Sequence, residues 1–448
     1  MAQTAKVPEH KNYLLPIVIM FALFFMIAFV QGYQNPLGSV IKKMTGDNTV
    51  MTQLGNLTNF IAYLIMGLPA GYLLQGKGYR MTALTAVSFG FVGVLITYFS
   101  GTISDESTAV IIYILGALVA GCGTCMLNTV VNPMLNSLGK TQNQGNQLIQ
   151  FGGMCNSLGA TLAPMIVGAL LGGEAKSIAS ADPVFYMAMG IFVVAFIVLY
   201  FSKLPESPDL GKKKEKVSLG GALRYSNFTF GVIAIFCYVG IEVGIPNWTL
   251  QYLENSPVVI GGNTLSPSAI AGTIAGLYWL LMLAGRLVGG LVGGKVSPRA
   301  MLSFTTSVAI VLLAFGILTS ESVMSFIGFD SSSLAFSVAN IPVNAVFFIL
   351  VGLCTSVMWG AIFNLSVQGL GKYTAVASGF FMVMVCGGGI LPFVQGIIAE
   401  SCGVLNGFWL VLGLTCYLLI YALWLSHPSR KEPQNEEDLY EDGREVKV

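Results

Sequence analysis

Charge is what this sequence has least of. Only 10% of its 448 residues are Asp, Glu, Lys or Arg, far below the roughly 25% of soluble domains, so no water-facing surface can be built from it. Histidine is nearly absent: His10 and His427 both fall in polar tails. That excludes an imidazole relay, a metal-hydrolase motif or a Ser-His-Asp triad within the apolar part of the chain, and makes an enzyme an unsuitable reading. The eight cysteines lie mostly inside apolar runs that oxidising solvent does not reach, so no disulfide framework is implied. Cys122 and Cys125 form a CxxC, but no second CxxC or His accompanies it. The surrounding glycines favour close helix packing over a metal or redox centre.

What the chain does have is apolar length. Hydrophobic residues make up 54% of it, in recurring runs of about 20 residues, each able to cross a hydrocarbon core of about 30 Å as a helix. The runs lack the alternation of outer-membrane barrel strands. About twelve spans are expected, near 14–33, 52–75, 81–100, 107–135, 145–171, 183–203, 226–254, 267–292, 298–320, 342–365, 374–399 and 404–426. The first run has no small-residue cleavage site behind it and reads as a helix rather than a signal peptide. The expected fold is therefore an all-α membrane protein of two six-helix bundles, residues 1–203 and 226–426, with a cytoplasmic linker at 204–225 and a cytoplasmic tail at 427–448.

Orientation follows from the loops. Lys77, Arg80, Lys140, Lys212, Lys213, Lys214, Lys216, Lys295, Arg299 and Lys372 fall in alternate connections, with Arg430 and Lys431 in the tail. By the positive-inside rule these face the cytoplasm, and both termini with them. The other connections carry Asp105, Glu106, Glu174, Asp182, Glu254, Asp330 and Glu400, alongside Lys42, Lys43 and Lys176. A net charge of +1 points to no nucleic-acid partner, and the run from Lys212 to Lys216 reads as an orientation signal in a solvated linker.

The two halves carry matching punctuation after their second helices, GYLLQGKGYR and GRLVGGLVGGKVSPR. Glycines allow close helix approach there while a basic residue marks the cytoplasmic turn, as a rocking hinge requires. These segments resemble the signature loop of the major facilitator superfamily, without the acidic residue that loop usually carries. Arg80 and Arg286 are expected to serve gating, Arg286 from near the cytoplasmic end of the eighth span and distant from Glu242. GGGILP at 387–392 and GIP at 244–246 are expected to break their helices beside a cavity.

Burying an ionised carboxylate at mid-bilayer costs about 2.5–3.5 kcal/mol even on the lenient insertion scale, so an acid inside a span is informative. Glu242, in FCYVGIEVGIPNW, lies about 16 residues into the seventh span, or roughly 24 Å along it. It is the candidate for a coupled proton, a cation or a solute hydroxyl; the alternative is a carboxyl that only tethers helices. Amides form the other polar population: Gln31, Gln34, Asn35, Asn56, Asn59, Asn128, Asn132, Gln150 and Asn156. Amides both donate and accept, which suits sugar hydroxyls, and an indole offers an apolar face to a pyranose ring. Trp248, Trp279 and Trp359 are the candidate indoles.

NTVVNPMLNSLG at 128–139, CNSLGA at 155–160, FCYVGIEVGIPNW at 236–248, AIFNLSVQGLGK at 361–372 and SGFFMVMVCGGGILP at 378–392 together resemble the fucose, galactose and glucose proton symporters of that superfamily over nearly the whole chain. The resemblance implies a major facilitator fold and a monosaccharide substrate. In that family the first and fourth helices carry acids serving sugar binding and proton coupling; Gln34, Asn35 and Asn128 stand there in this chain. It also implies roles for Asn156, Glu242 and Trp359. The expected substrate set is Gln34, Asn35, Asn128, Asn132, Gln150, Asn156, Glu242, Trp248, Trp359 and Asn364, with Glu242 as the proton-coupling group and no metal or other cofactor. The expected protein is a monomeric, multi-pass carrier of the bacterial inner membrane that imports a small sugar, with the lipid bilayer as its surroundings and a proton as its coupling partner. Passive sugar uniport, export of a lipid or drug-like solute, and a non-transporting solute receptor remain the alternatives.

Overall fold

A computed structural model of the chain describes residues 13–32, 54–171, 178–205, 218–262, 267–319, 322–330 and 335–428. Within them the chain makes twelve helical passages. The first three are α1 (Leu14–Gly32) and then α2 and α3, two separate helices within Leu54–Ser100 that meet at Gly78. They are followed by α4 (Glu106–Leu138), α5 (Gln142–Leu171) and α6 (Asp182–Phe201). The second half holds α7 (Ser226–Glu254), α8 (Pro267–Gly293), α9 (Pro298–Leu318), α10 (Val343–Thr355, resumed as Met358–Val367), α11 (Thr374–Val383 and Gly387–Cys402, joined by a 3-10 turn) and α12 (Val404–Ile420).

Helices are the expected solution for an apolar chain, because each satisfies its own backbone where lipid offers no partner. Their ends are set by local chemistry. Asp105 caps α4, accepting from the Thr108 amide at 2.8 Å and the Thr108 hydroxyl at 2.5 Å, and these two bonds hold its carboxyl below the ordinary range. Ser297 caps α9, with Pro298 in its first turn. Gly78, at φ 83°, makes the sharp reversal between α2 and α3 that a side chain would strain.

Two expectations are corrected. GIP at 244–246 does not break its helix: α7 runs unbroken through Pro246. Between the expected ninth and tenth spans, where no element is expected, lies an antiparallel hairpin of β1 (Val323–Asp330) and β2 (Ala335–Pro342), with Gly328 opposite Ser337. Gly328 is required by packing, since a Cβ there would lie 2.5 Å from the Thr273 hydroxyl of α8. The fold is thus mainly, not wholly, helical.

Burial sorts the helices. Two-thirds or more of the apolar window is buried in α4, α7 and α10 (67%, 67% and 78%), against 28% in α6 and 33% in α9 and in α12. The first set lies inside and the second meets lipid, with Phe201, Phe304 and Trp424 outward. Two of the contacts between the halves are glycine-lined seams. In one, Gly67 and Gly71 of α2 face Gly379 of α11, where a Cβ would fall 2.5 Å from the Gly67 carbonyl. In the other, Phe151 and Gln147 of α5 lie on Gly290, Gly293 and Gly294 of α8. Small residues let backbones meet where no hydrophobic force drives helices together. Both seams lie toward the end carrying Lys77, Lys140, Lys295 and Lys372, the basic end.

Candidate functional site

The inner helices carry the polar residues. On α4, Asn128 donates to the Tyr63 hydroxyl of α2 at 2.6 Å, and one turn on Asn132 donates to the Asn128 carbonyl at 2.9 Å. The Asn132 side-chain oxygen accepts from Trp359 Nε1 of α10 at 3.0 Å, crossing between halves. Trp359 in turn meets the ring of Tyr238 on α7 edge-on, with centroids 6.2 Å apart, and that of Phe381 on α11 at 5.8 Å. The buried Tyr238 hydroxyl lies beside Glu242, one turn along α7, without a hydrogen bond of normal geometry.

Glu242 accepts from Arg286 Nη2 of α8 at 3.2 Å. This overturns the expectation that the two lie far apart. The physical reason is direction: side chains lean toward the N-terminus of their own helix, and α7 and α8 are consecutive passages of opposite sense. Glu242 therefore leans toward the basic end and Arg286 away from it, closing the gap that position along each helix implies. Arg286 also donates from Nη1 to the Ser157 hydroxyl at 2.6 Å and the Gly153 carbonyl at 3.1 Å, both on α5, and from Nε to the Ser356 carbonyl at 3.4 Å. A continuous chain of contacts thus runs Asn128, Asn132, Trp359, Tyr238, Glu242, Arg286, Ser157, starting and ending in the first half and passing through the second.

The remaining candidates are placed as follows. Asn156 donates to the Phe24 carbonyl of α1 at 3.0 Å, beside Ser157. Gln150 donates to the Val357 carbonyl at 2.8 Å, and Asn364 to Asn136 Oδ1 at 2.6 Å and the Gln142 carbonyl at 3.2 Å. These three bonds join the halves at the basic end, as do Gln142 to Gln368 at 2.9 Å and Gln147 to the Gly290 carbonyl at 2.9 Å. Trp248 is apart from the chain, its Nε1 donating to the Pro392 carbonyl at 3.0 Å and its ring covering Gly396. Trp279 is 40% exposed on the outer face of α8. Gln34 and Asn35 lie outside the described residues.

Arg80 is placed within one half rather than between halves. It donates to the Leu199 carbonyl at 3.3 Å and to that of Tyr200, tying the start of α3 to the end of α6. Arg299 repeats the arrangement in the second half, donating to the Ser426 hydroxyl at 3.0 Å and carbonyl at 3.2 Å. Arg299 is therefore the repeat partner of Arg80.

Sequence reasoning missed Tyr63, Ser157, Tyr238, Asn136, Gln142, Gln147 and Gln368. A signal existed for some. Asn132, Asn136 and Lys140 recur at the same spacing as Asn364, Gln368 and Lys372, each triplet closing on LGK. The repeated stretches are α4 and α10, which face each other across the basic end.

The comparisons agree with this architecture. A glucose/galactose transporter of Brucella abortus (strain 2308) is 29% identical over 93% of this chain and 95% of its own length. An L-fucose-proton symporter of Escherichia coli (strain K12) is 20% identical over 92% and 93%. The crystal structure of a major facilitator transporter, FucP, in the outward conformation superposes with a TM-score of 0.76 at 18% identity, covering 93% of this chain and 99% of that one. Residues 19–345 match the family described as the Major Facilitator Superfamily. The chain is a member of the Major Facilitator Superfamily, a family of membrane transporters.

Proposed function

We propose that the protein imports a monosaccharide or a close derivative across a bacterial inner membrane by alternating access, coupled to protons through Glu242. The observation that carries this reading is the contact chain from Asn128 to Ser157. It sets amide, phenol and indole groups, the chemistry that recognises sugar hydroxyls and ring faces, next to a largely enclosed carboxylate. The names of the relatives, glucose/galactose transporter and L-fucose-proton symporter, support both the sugar and the proton.

Asn128, Asn132, Asn156 and Trp359 are the substrate residues on this reading, with Gln34 and Asn35 expected to join them from the first half. Gln150 and Asn364 are better read as gate residues, since their amide nitrogens bond across the halves. Trp248 is a packing residue, and Arg80 braces one bundle. Residues 1–203 and 226–426 act as the two rocking bodies, with the basic end and both termini in the cytoplasm.

A competing reading draws on the same pair. A Glu242–Arg286 bridge that stays ionised throughout the cycle leaves a passive sugar uniporter. Uptake of glucose, galactose and fucose into proteoliposomes, with and without an inward proton gradient, separates the two. Gradient-driven accumulation supports coupling, equilibration alone supports uniport, and uptake of no sugar ends the reading.

A further inference from the structure

We infer that Arg286 is a positioning residue that converts the charge on Glu242 into the closed or open state of the basic-end seam. The inference rests on the reading of Glu242 as the coupling acid, and adds to it a mechanical route from that acid to the opposite half.

The guanidinium touches three helices besides its own. One arm reaches Glu242 on α7, a second reaches Ser157 and Gly153 on α5, and Nε lies on the Ser356 carbonyl at the break in α10. Only α5 belongs to the other half. Its approach depends on Gly153, where a Cβ would stand 3.3 Å from Arg286 Cδ and crowd the side chain off the bare carbonyl. Below this point the same two helices continue in contact, Phe151 on Gly290 and Gln147 on Gly290, Gly293 and Gly294. Arg286 is therefore the first rung of the α5–α8 seam, and the only rung that bears a charge among these contacts.

Arg286 is 8% exposed as a residue. A buried cation is tolerable while a carboxylate faces it and becomes costly once that partner is neutral. The groups facing Glu242 are Tyr238 from its own helix, with Arg286 and Tyr278 from α8; around Arg286 and Tyr278, α5 presents Ser157 and α10 presents Thr355 and Ser356, all uncharged. Protonating Glu242 therefore leaves Arg286 dry against hydroxyls and carbonyls alone. Parting α5 from α8 lets water reach it. A proton picked up at Glu242 thus favours opening of the basic end. Lysine, with a point charge and no fork, cannot hold Glu242 and Ser157 along two directions as well.

The test is a disulfide reporter across the seam, Gln147→Cys with Gly293→Cys, in a background without the native cysteines. A Cβ on Gly293 would lie 3.5 Å from that of Gln147, which suits a disulfide. Cross-linking rate with an added oxidant is read in sugar-free vesicles from pH 8 to pH 5, each rate divided by that of a reference cysteine pair within one helix bundle, so that the thiols' own loss of thiolate with falling pH cancels. One linked proton shifts the seam equilibrium by at most about tenfold per pH unit, so the parent rate is expected to fall toward that slope as pH drops. Glu242→Gln should give slow cross-linking at every pH. The charge-free pair Glu242→Gln/Arg286→Gln, which avoids an orphaned buried charge, should cross-link fast at every pH. Arg286→Lys should restore part of the slope. Monodisperse elution and thermal denaturation of each variant in detergent verify folding.

A parent slope that survives in Glu242→Gln/Arg286→Gln overturns the inference. So does a flat parent profile in a protein whose uphill uptake still needs Glu242, an outcome that leaves the coupling reading intact. If instead the Arg286-dependent slope is present but no proton gradient drives uptake, it is the coupling reading that fails.

Discussion

Trp359 and Asn132 meet across the centre of the molecule through one hydrogen bond, indole Nε1 to amide oxygen at 3.0 Å. Asn132 is fully buried and its amide nitrogen is already spent on the Asn128 carbonyl. The bond therefore fixes both the amide's orientation and the indole's plane between Tyr238 and Phe381.

Trp359→Phe keeps most of the ring contacts and removes the donor. An orphaned buried acceptor costs about 1–3 kcal/mol, so transport efficiency should fall by about tenfold or more while the protein still folds. Initial uptake rates over a range of sugar concentrations check this; unchanged kinetics would remove Trp359 from the site.

Gly379→Val should prevent the α2–α11 seam from closing, because a Cβ there meets the Gly67 carbonyl at 2.5 Å and backbone cannot yield cheaply. The expected protein is folded, open at the basic end and inactive in exchange. Labelling of a single cysteine at position 375 by an impermeant maleimide from the basic side should rise several-fold relative to the parent protein.

Arg80→Gln should cost about 1 kcal/mol of stability, the net worth of a hydrogen bond, and leave transport per folded molecule nearly unchanged. Arg299→Gln should behave alike, since Ser426 takes the place of Leu199 and Tyr200. Thermal denaturation in detergent beside uptake normalised to folded protein tests this. A collapse of exchange with unchanged melting would return Arg80 to the gate.

The bonds between Gln142 and Gln368, Asn136 and Asn364, and Gln150 and Val357 are uncharged. Closure through them should respond little to ionic strength, whereas a gate of exposed ion pairs weakens as salt screens it. Cross-linking across the α4–α10 contact at low and high salt, held at one pH, distinguishes the two.

Much of the fold was legible in the sequence because a span is a local property: its length against bilayer thickness, its composition and its flanking charges all lie within one stretch. The hairpin at 323–342 was not, since its strands hold Gly328, Asn340 and Pro342, and its packing on Thr273 is a tertiary contact. Glu242 stood out as an acid where acids are costly. Its partner did not, because position along α8 puts Arg286 near the basic end and only the direction of its side chain brings it back to Glu242. The amides were visible as a population but not by role. Asn128 and Asn364 look alike in sequence, yet one bonds Tyr63 within a half and the other bonds Asn136 across the halves. Only helix azimuth separates these cases, and one sequence does not supply it.

The central claim is that Glu242 carries the proton that moves with the sugar, and the direct measurement is external pH in a lightly buffered suspension of proteoliposomes as sugar is added. The account predicts a transient alkalinisation with the wild-type protein that vanishes in Glu242→Gln, while that variant still exchanges labelled for unlabelled sugar. Sugar entry with no pH change, or equal alkalinisation by Glu242→Gln, would contradict it.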